Sequence, residues 1–106
     1  MNFKRWNIYS FDTTLGPETK TLITTGIDKS IVLLSLLISN YSQTDNANIT
    51  VNITDGTNNL FKFNITIPSG NSPMAIDSKI VLNSGDVMQV TSDIDDVAVL
   101  ASGDES

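Results

Sequence analysis

Histidine and cysteine are both absent from this chain, so carboxylates are the side chains left for acid–base or metal chemistry. That removes the commonest general base and the thiolate nucleophile, and with them serine–histidine–aspartate and cysteine–histidine catalysis. It also removes disulfides and cysteine zinc sites. The densest acidic stretch is Asp93-Ile94-Asp95-Asp96. Paired carboxylates cleave a glycoside when held about 5–10 Å apart across a sugar cleft. A chain of 106 residues with a filled core offers no evident room for one. Calcium is a better chemical use of Asp93, Asp95 and Asp96, but the central glycine and distal glutamate of a full calcium loop are missing. The expectation is a protein that is not an enzyme and holds no metal or cofactor.

Trp6, Tyr9 and Tyr41 are the residues for an aromatic platform against sugar rings. Trp6 and Tyr9 have opposite parity along one strand and make no flat stripe. Trp6 reads as a plug at the end of the core or as an interface anchor. The Asn-x-Ser/Thr triplets at Asn40, Asn48, Asn52 and Asn64 follow from a composition rich in those residues. No glycine-rich phosphate loop exists, because each glycine stands alone at a turn or terminus.

Charge narrows the partners. Six basic residues face twelve acidic ones, for a net charge of -6. Clustered cations, which nucleic acid requires, are limited to Lys4-Arg5. The imbalance is local: residues 1–76 are neutral overall, and residues 77–106 carry the whole net charge. Solvated turns account for such a run. The sharper reading is an acidic partner face of Asp86, Asp93, Asp95 and Asp96. The longest apolar run, residues 31–38, is far short of the ~20 residues of a membrane span. The N-terminal stretch has no apolar segment of a secretory signal, so synthesis in the cytoplasm without a signal peptide is expected.

Strands must position these residues. Ile49, Val51 and Ile53 alternate with Thr50, Asn52 and Thr54; after Asp55-Gly56-Thr57-Asn58-Asn59, Phe61, Phe63, Ile65 and Ile67 alternate with Lys62, Asn64 and Thr66. This predicts an antiparallel hairpin with one dry face and one wet face. Further short strands are expected near residues 3–11, 20–25, 31–38, 74–82, 87–92 and 97–101. The fold class is all-β: about eight short antiparallel strands in a β-sandwich or jelly-roll-like domain spanning 1–106. Residues 1–19 form its N-terminal strand and loop, and residues 102–106 a flexible acidic tail.

Residues 31–38 are apolar on both parities. Val32, Leu34, Leu36 and Ile38 form one face; Ile31, Leu33 and Leu37 form the other. A small sandwich has one internal core, so the second face needs a cover: a loop, the N-terminal segment or another subunit. In the subunit reading, Ile31, Leu33, Leu37 and Trp6 make an oligomer interface.

A resemblance is carried by Ser39-Asn40 closing that strand, the hairpin ending in Ile67-Pro68-Ser69-Gly70, and Lys79-Ile80-Val81-Leu82-Asn83-Ser84-Gly85-Asp86. Val87-Met88-Gln89-Val90 and Asp96-Val97-Ala98-Val99-Leu100-Ala101-Ser102-Gly103 complete it. Over roughly residues 20–103 the chain resembles small β-sandwich virion structural proteins of tailed bacteriophages. Ser72-Pro73 departs from that pattern. The resemblance implies a virion component that self-associates, with a trimer as one candidate. It would bind other virion proteins such as the major capsid or tail proteins, first as a head decoration or cement protein, alternatively in the neck, tail or baseplate. A carbohydrate-binding or adhesin-like module is the reading from another class. Nucleic acid and membrane are not expected partners.

Overall fold

The structure is a computed structural model that describes residues 2–106. Nine strands follow one another: β1 (Asn2–Ile8), β2 (Glu18–Thr24), β3 (Ile31–Asn40), β4 (Ala47–Thr54), β5 (Asn59–Ile67), β6 (Ser72–Ile76), β7 (Ile80–Leu82), β8 (Val87–Ser92) and β9 (Val97–Glu105). All pairings are antiparallel. The front sheet has the order β1-β9-β3-β6, with β7 also on β3; the back sheet has the order β2-β8-β4-β5. Their inner faces share one core, in which Leu36, Ile38 and Val99 from the front meet Ile49, Val51, Met88 and Val90 from the back. The shortest dimension, 19 Å, suits two sheets about 10 Å apart with side chains on their outer faces.

The pairing is nested about the β4–β5 turn. β4 pairs with β5, β3 with β6 and β7, β2 with β8, and β1 with β9. Asp55 shapes the innermost turn by accepting from the backbone N–H of Thr57 and Asn58 at 2.9 and 2.8 Å. Those N–H groups hold its carboxyl below the usual range, Asn58 first. The hairpin follows the alternation, with Val51 opposite Phe63 and Ile49 opposite Ile65. The strand expected over residues 74–82 is two strands, parted by Asp77-Ser78-Lys79.

Two expectations are corrected. Residues 102–106 do not form a free tail: β9 runs to Glu105, and the backbones of Ser106 and Ser30 pair at 2.9 and 3.0 Å. Lys4 adds an ion pair to Glu105 at 2.6 Å. The second correction concerns β3, whose register against β9 shifts between Leu33 and Ser35. Leu34 is the extra residue of this bulge, and a bulge reverses side-chain parity. Ile31 and Leu33 before it therefore point inward together with Leu36 and Ile38 after it, all four buried. Leu34 and Leu37 point outward, 41% and 40% exposed.

Gly103 sits opposite Leu33 at this bulge. A Cβ there would overlap the carbonyl oxygen of Val32 and come within 3.0 Å of Leu33 Cα. The backbones approach that closely only because the residue is glycine.

Beyond the bulge, β3 ends on Asn40, which is fully buried. Its amide donates to the carbonyls of Asp45 at 2.8 Å, Ile67 at 3.0 Å and Pro68 at 3.2 Å. Its Oδ1 accepts from the Ser42 N–H at 2.9 Å. One side chain thus ties the end of β3 to the β3–β4 loop and the end of β5.

Candidate assembly surface

The two outer faces of the sandwich differ in chemistry. The back face carries Thr19, Thr21, Thr50, Asn52, Asn64, Thr91 and Gln89, with Lys62 its one charge among the described strand residues. Three pairs of polar side chains on this face bond to one another, whereas Asn52 Oδ1 is buried without a partner among the described residues. Thr19 and Thr91 hydroxyls lie 2.6 Å apart, Thr50 donates to Asn64 at 2.7 Å, and Thr66 donates to Asn48 at 2.9 Å. Water can solvate such a face without loss.

The front face is apolar at its centre. Antiparallel partners share a face, so the row Asn7, Leu100, Leu37, Ala75 crosses the sheet from β1 to β6. Leu100 is 37% exposed, close to Leu34 and Leu37. Beside the row, Ala98, Ser39 and Pro73 floor a shallow groove walled by Tyr9 and Arg5. The Tyr41 hydroxyl donates to the Tyr9 carbonyl at 3.1 Å and steadies that wall.

The expected interface set divides accordingly. Leu37 lies on the outer front face, whereas Ile31 and Leu33 belong to the core and present nothing to a partner. Trp6 stands opposite Ala101 on the inner side and packs against the core from the β1 edge, which is the plug role. Leu34 and Leu100 were not assigned to this face by sequence. No local signal marks the bulge, because Ile31-Val32-Leu33-Leu34 is one continuous apolar run.

The acidic residues divide as well. Antiparallel pairing puts the loops at residues 9–17, 41–46, 68–71 and 93–96 at one end of the sandwich. Asp93, Asp95 and Asp96 meet there with Asp45. Asp93 accepts from the Asn48 N–H at 2.8 Å and from its side-chain amide at 2.7 Å. Asp95 accepts from the Thr13 hydroxyl at 2.5 Å and the Thr13 N–H at 2.8 Å. These bonds, the hydroxyl first, hold the Asp95 carboxyl below the ordinary value, against desolvation and the like charge of Asp12. Asp86 does not join them. It lies in the turn at the opposite end, buried, with Oδ2 accepting from the Asn83 N–H at 2.8 Å. Its place on a common acidic face is corrected: it shapes a turn. Among the described residues, no three acidic side chains are grouped to hold a metal ion.

No family model matches the chain, and no curated protein matches it. Two crystal structures of a pentameric capsid protein isolated from metagenomic phage sequences are similar to it at 22% identity. The likeness covers 88% and 90% of this chain, with TM-scores of 0.42 and 0.43. The chain accounts for 62% and 65% of the length of those proteins.

Proposed function

We propose that this chain is a non-enzymatic structural protein of a tailed-bacteriophage virion, of the head decoration or cement kind. In this reading it associates with itself and seats its outer front face on a capsid protein. The observation that carries the proposal is the contrast between the two outer faces. The back face is polar, with three side-chain pairs bonded across it, whereas the front face leaves Leu34, Leu37 and Leu100 partly exposed. An apolar centre bordered by polar groups is the pattern of a docking surface. The sequence resemblance to small virion proteins supports the same reading independently. The nested strand pairing supports reading the sandwich as a jelly roll, an architecture used by capsid and lectin domains alike. Fold alone does not choose between those uses.

Mass spectrometry of purified particles from the phage that encodes the chain tests the proposal. Hundreds of copies per particle are the expected result for decoration. A single ring of copies would move the protein to the neck, tail or baseplate. Absence from the particle overturns the proposal.

A further inference from the structure

The β1–β2 loop holds Leu15 wholly in solvent. One exposed leucine is ordinary, but this one is mounted rigidly. Asp12 Oδ1 accepts from the Thr14 N–H at 3.1 Å and its hydroxyl at 2.6 Å. The Asp12 N–H donates to Glu18 at 2.9 Å, and the Gly16 N–H to the Thr13 carbonyl at 3.1 Å. Thr13 is anchored on Asp95. Gly16 takes φ of 116°, which favours glycine at the tip. A side chain held this way loses little conformational freedom when it is buried by a partner.

The opposite edge of the sandwich is open. β1 and β2 are the edge strands of the two sheets on the Leu15 side; β5 and β6–β7 are the edges on the other. Between β5 and β6–β7 runs an apolar slot lined by Phe61, Phe63, Ile65, Met74, Ile76 and Ile80. Phe61 and Phe63 pack at 5.4 Å with their rings tilted by 50°, and Phe61 is half in solvent. Lys79 lines the slot, no carboxylate does, and Lys62 stands on the same edge strand; Asp77 lies just outside. Asp12 and Glu18 flank the apolar knob at the acidic end of the molecule, and Lys20, 3.8 Å from Glu18, offsets one of the two, which leaves the knob acidic on balance.

The geometry points to a second copy of this chain as the occupant of the slot. Leu15 of one protomer enters between β5 and β6–β7 of the next, with Asp12 and Glu18 facing Lys79. Knob and slot lie on opposite edges, so the contact is head-to-tail and closes into a ring or runs on as a filament. This inference rests on the self-association in the reading above and gives it a direction.

Light scattering of the full chain at low salt and high micromolar concentration tests it. The unaltered protein is expected to form species larger than a dimer. Leu15→Ser is expected to be monomeric with an unchanged unfolding midpoint, since Leu15 touches no core. Phe61→Asp is expected to be monomeric as well, and Lys79→Glu, at an exposed residue, to weaken assembly at least tenfold without affecting folding. Mixing Leu15→Ser with Phe61→Asp restores one knob and one slot, so a 1:1 dimer that grows no further is the expected product. A monomeric unaltered chain, normal assembly by Leu15→Ser, or a mixture that stays monomeric overturns the inference. Assembly unaffected by Leu15→Ser in a protein found in particles removes this contact alone. Ordered rings from a protein absent from particles remove the virion reading alone.

Discussion

Replacing Asn40 by alanine removes the buried amide that joins three segments at the acidic end of the sandwich. Two amide hydrogens serve the carbonyls of Asp45, Ile67 and Pro68, and the Ser42 N–H loses its acceptor. Three donors are involved, each worth about 1 kcal/mol net, and the Ser42 N–H left unpaired adds part of a further ~1–3 kcal/mol. The expected loss is therefore about 3–4 kcal/mol, a large share of the ~5–15 kcal/mol that holds a domain folded. At about 4–8 °C per kcal/mol, the thermal midpoint falls by about 12–30 °C. Urea unfolding followed by the fluorescence of Trp6, the single tryptophan, reads this directly. Ser39→Ala, on the outer face one residue earlier, is the control and is expected within about 0.5 kcal/mol of the parent. A loss below about 1 kcal/mol for Asn40→Ala refutes the reasoning, because water or neighbouring groups would then replace the amide at little cost.

Gly103→Ala is expected to cost about 1–3 kcal/mol by forcing β9 off the backbone of Val32 and Leu33; an unchanged urea midpoint would show that the bulge yields freely. Leu33→Asp and Leu36→Asp bury an unpaired charge and are expected to unfold the protein, whereas Leu34→Asp and Leu37→Asp keep it folded but prevent attachment to particles. Circular dichroism and particle co-sedimentation separate the pairs, and equal behaviour of Leu33→Asp and Leu34→Asp would contradict the bulge. The Asp95 carboxyl is lowered in the folded state, so its contribution to stability is present above the unfolded value and fades as the pH falls through the folded one. An NMR titration is expected to find the Asp95 midpoint below the ordinary carboxylate value and to see it rise in Thr13→Ala; no rise would mean that Thr13 is not the cause.

The hairpin was legible because period-two alternation, turn residues and cross-strand register agree from Ala47 opposite Ile67 to Ile53 opposite Phe61, although the register shift at Leu60 beside the Asp55 turn was not. β3 was legible as a strand but not as to its faces. Parity counting assumes an uninterrupted pleat, and a single extra residue at Leu34 reverses it. The register shifts at Leu34 and Leu22 each fall within an apolar pair, but Ile31-Val32 and Leu36-Leu37 are apolar pairs without a shift, so such pairs alone do not locate a bulge. The end of β9 read as tail because Ser102-Gly103-Asp104-Glu105-Ser106 has little strand propensity. It is held instead by two neighbouring strands and by the contact that only Gly103 permits. Asn40 and Asp86 read as boundary and surface residues. Both meet segments distant in sequence, Asn40 the carbonyl of Ile67 and Asp86 the backbone of Thr25, which local patterns do not encode.

The nested pairing also dictates an order of events during synthesis. β9 lies between β1 and β3, so the front sheet lacks its central member until residues 97–105 have left the ribosome. The back sheet depends only on segments up to Ser92. For most of its synthesis the nascent chain holds β1 and β3 with no strand between them. Their unpaired edges and the inward leucines of β3 are then open to other chains. Closing the sheet joins segments almost a full chain length apart, a slow step for any polypeptide. Crowded nascent chains thus meet their main aggregation hazard before the last nine residues of β9 arrive.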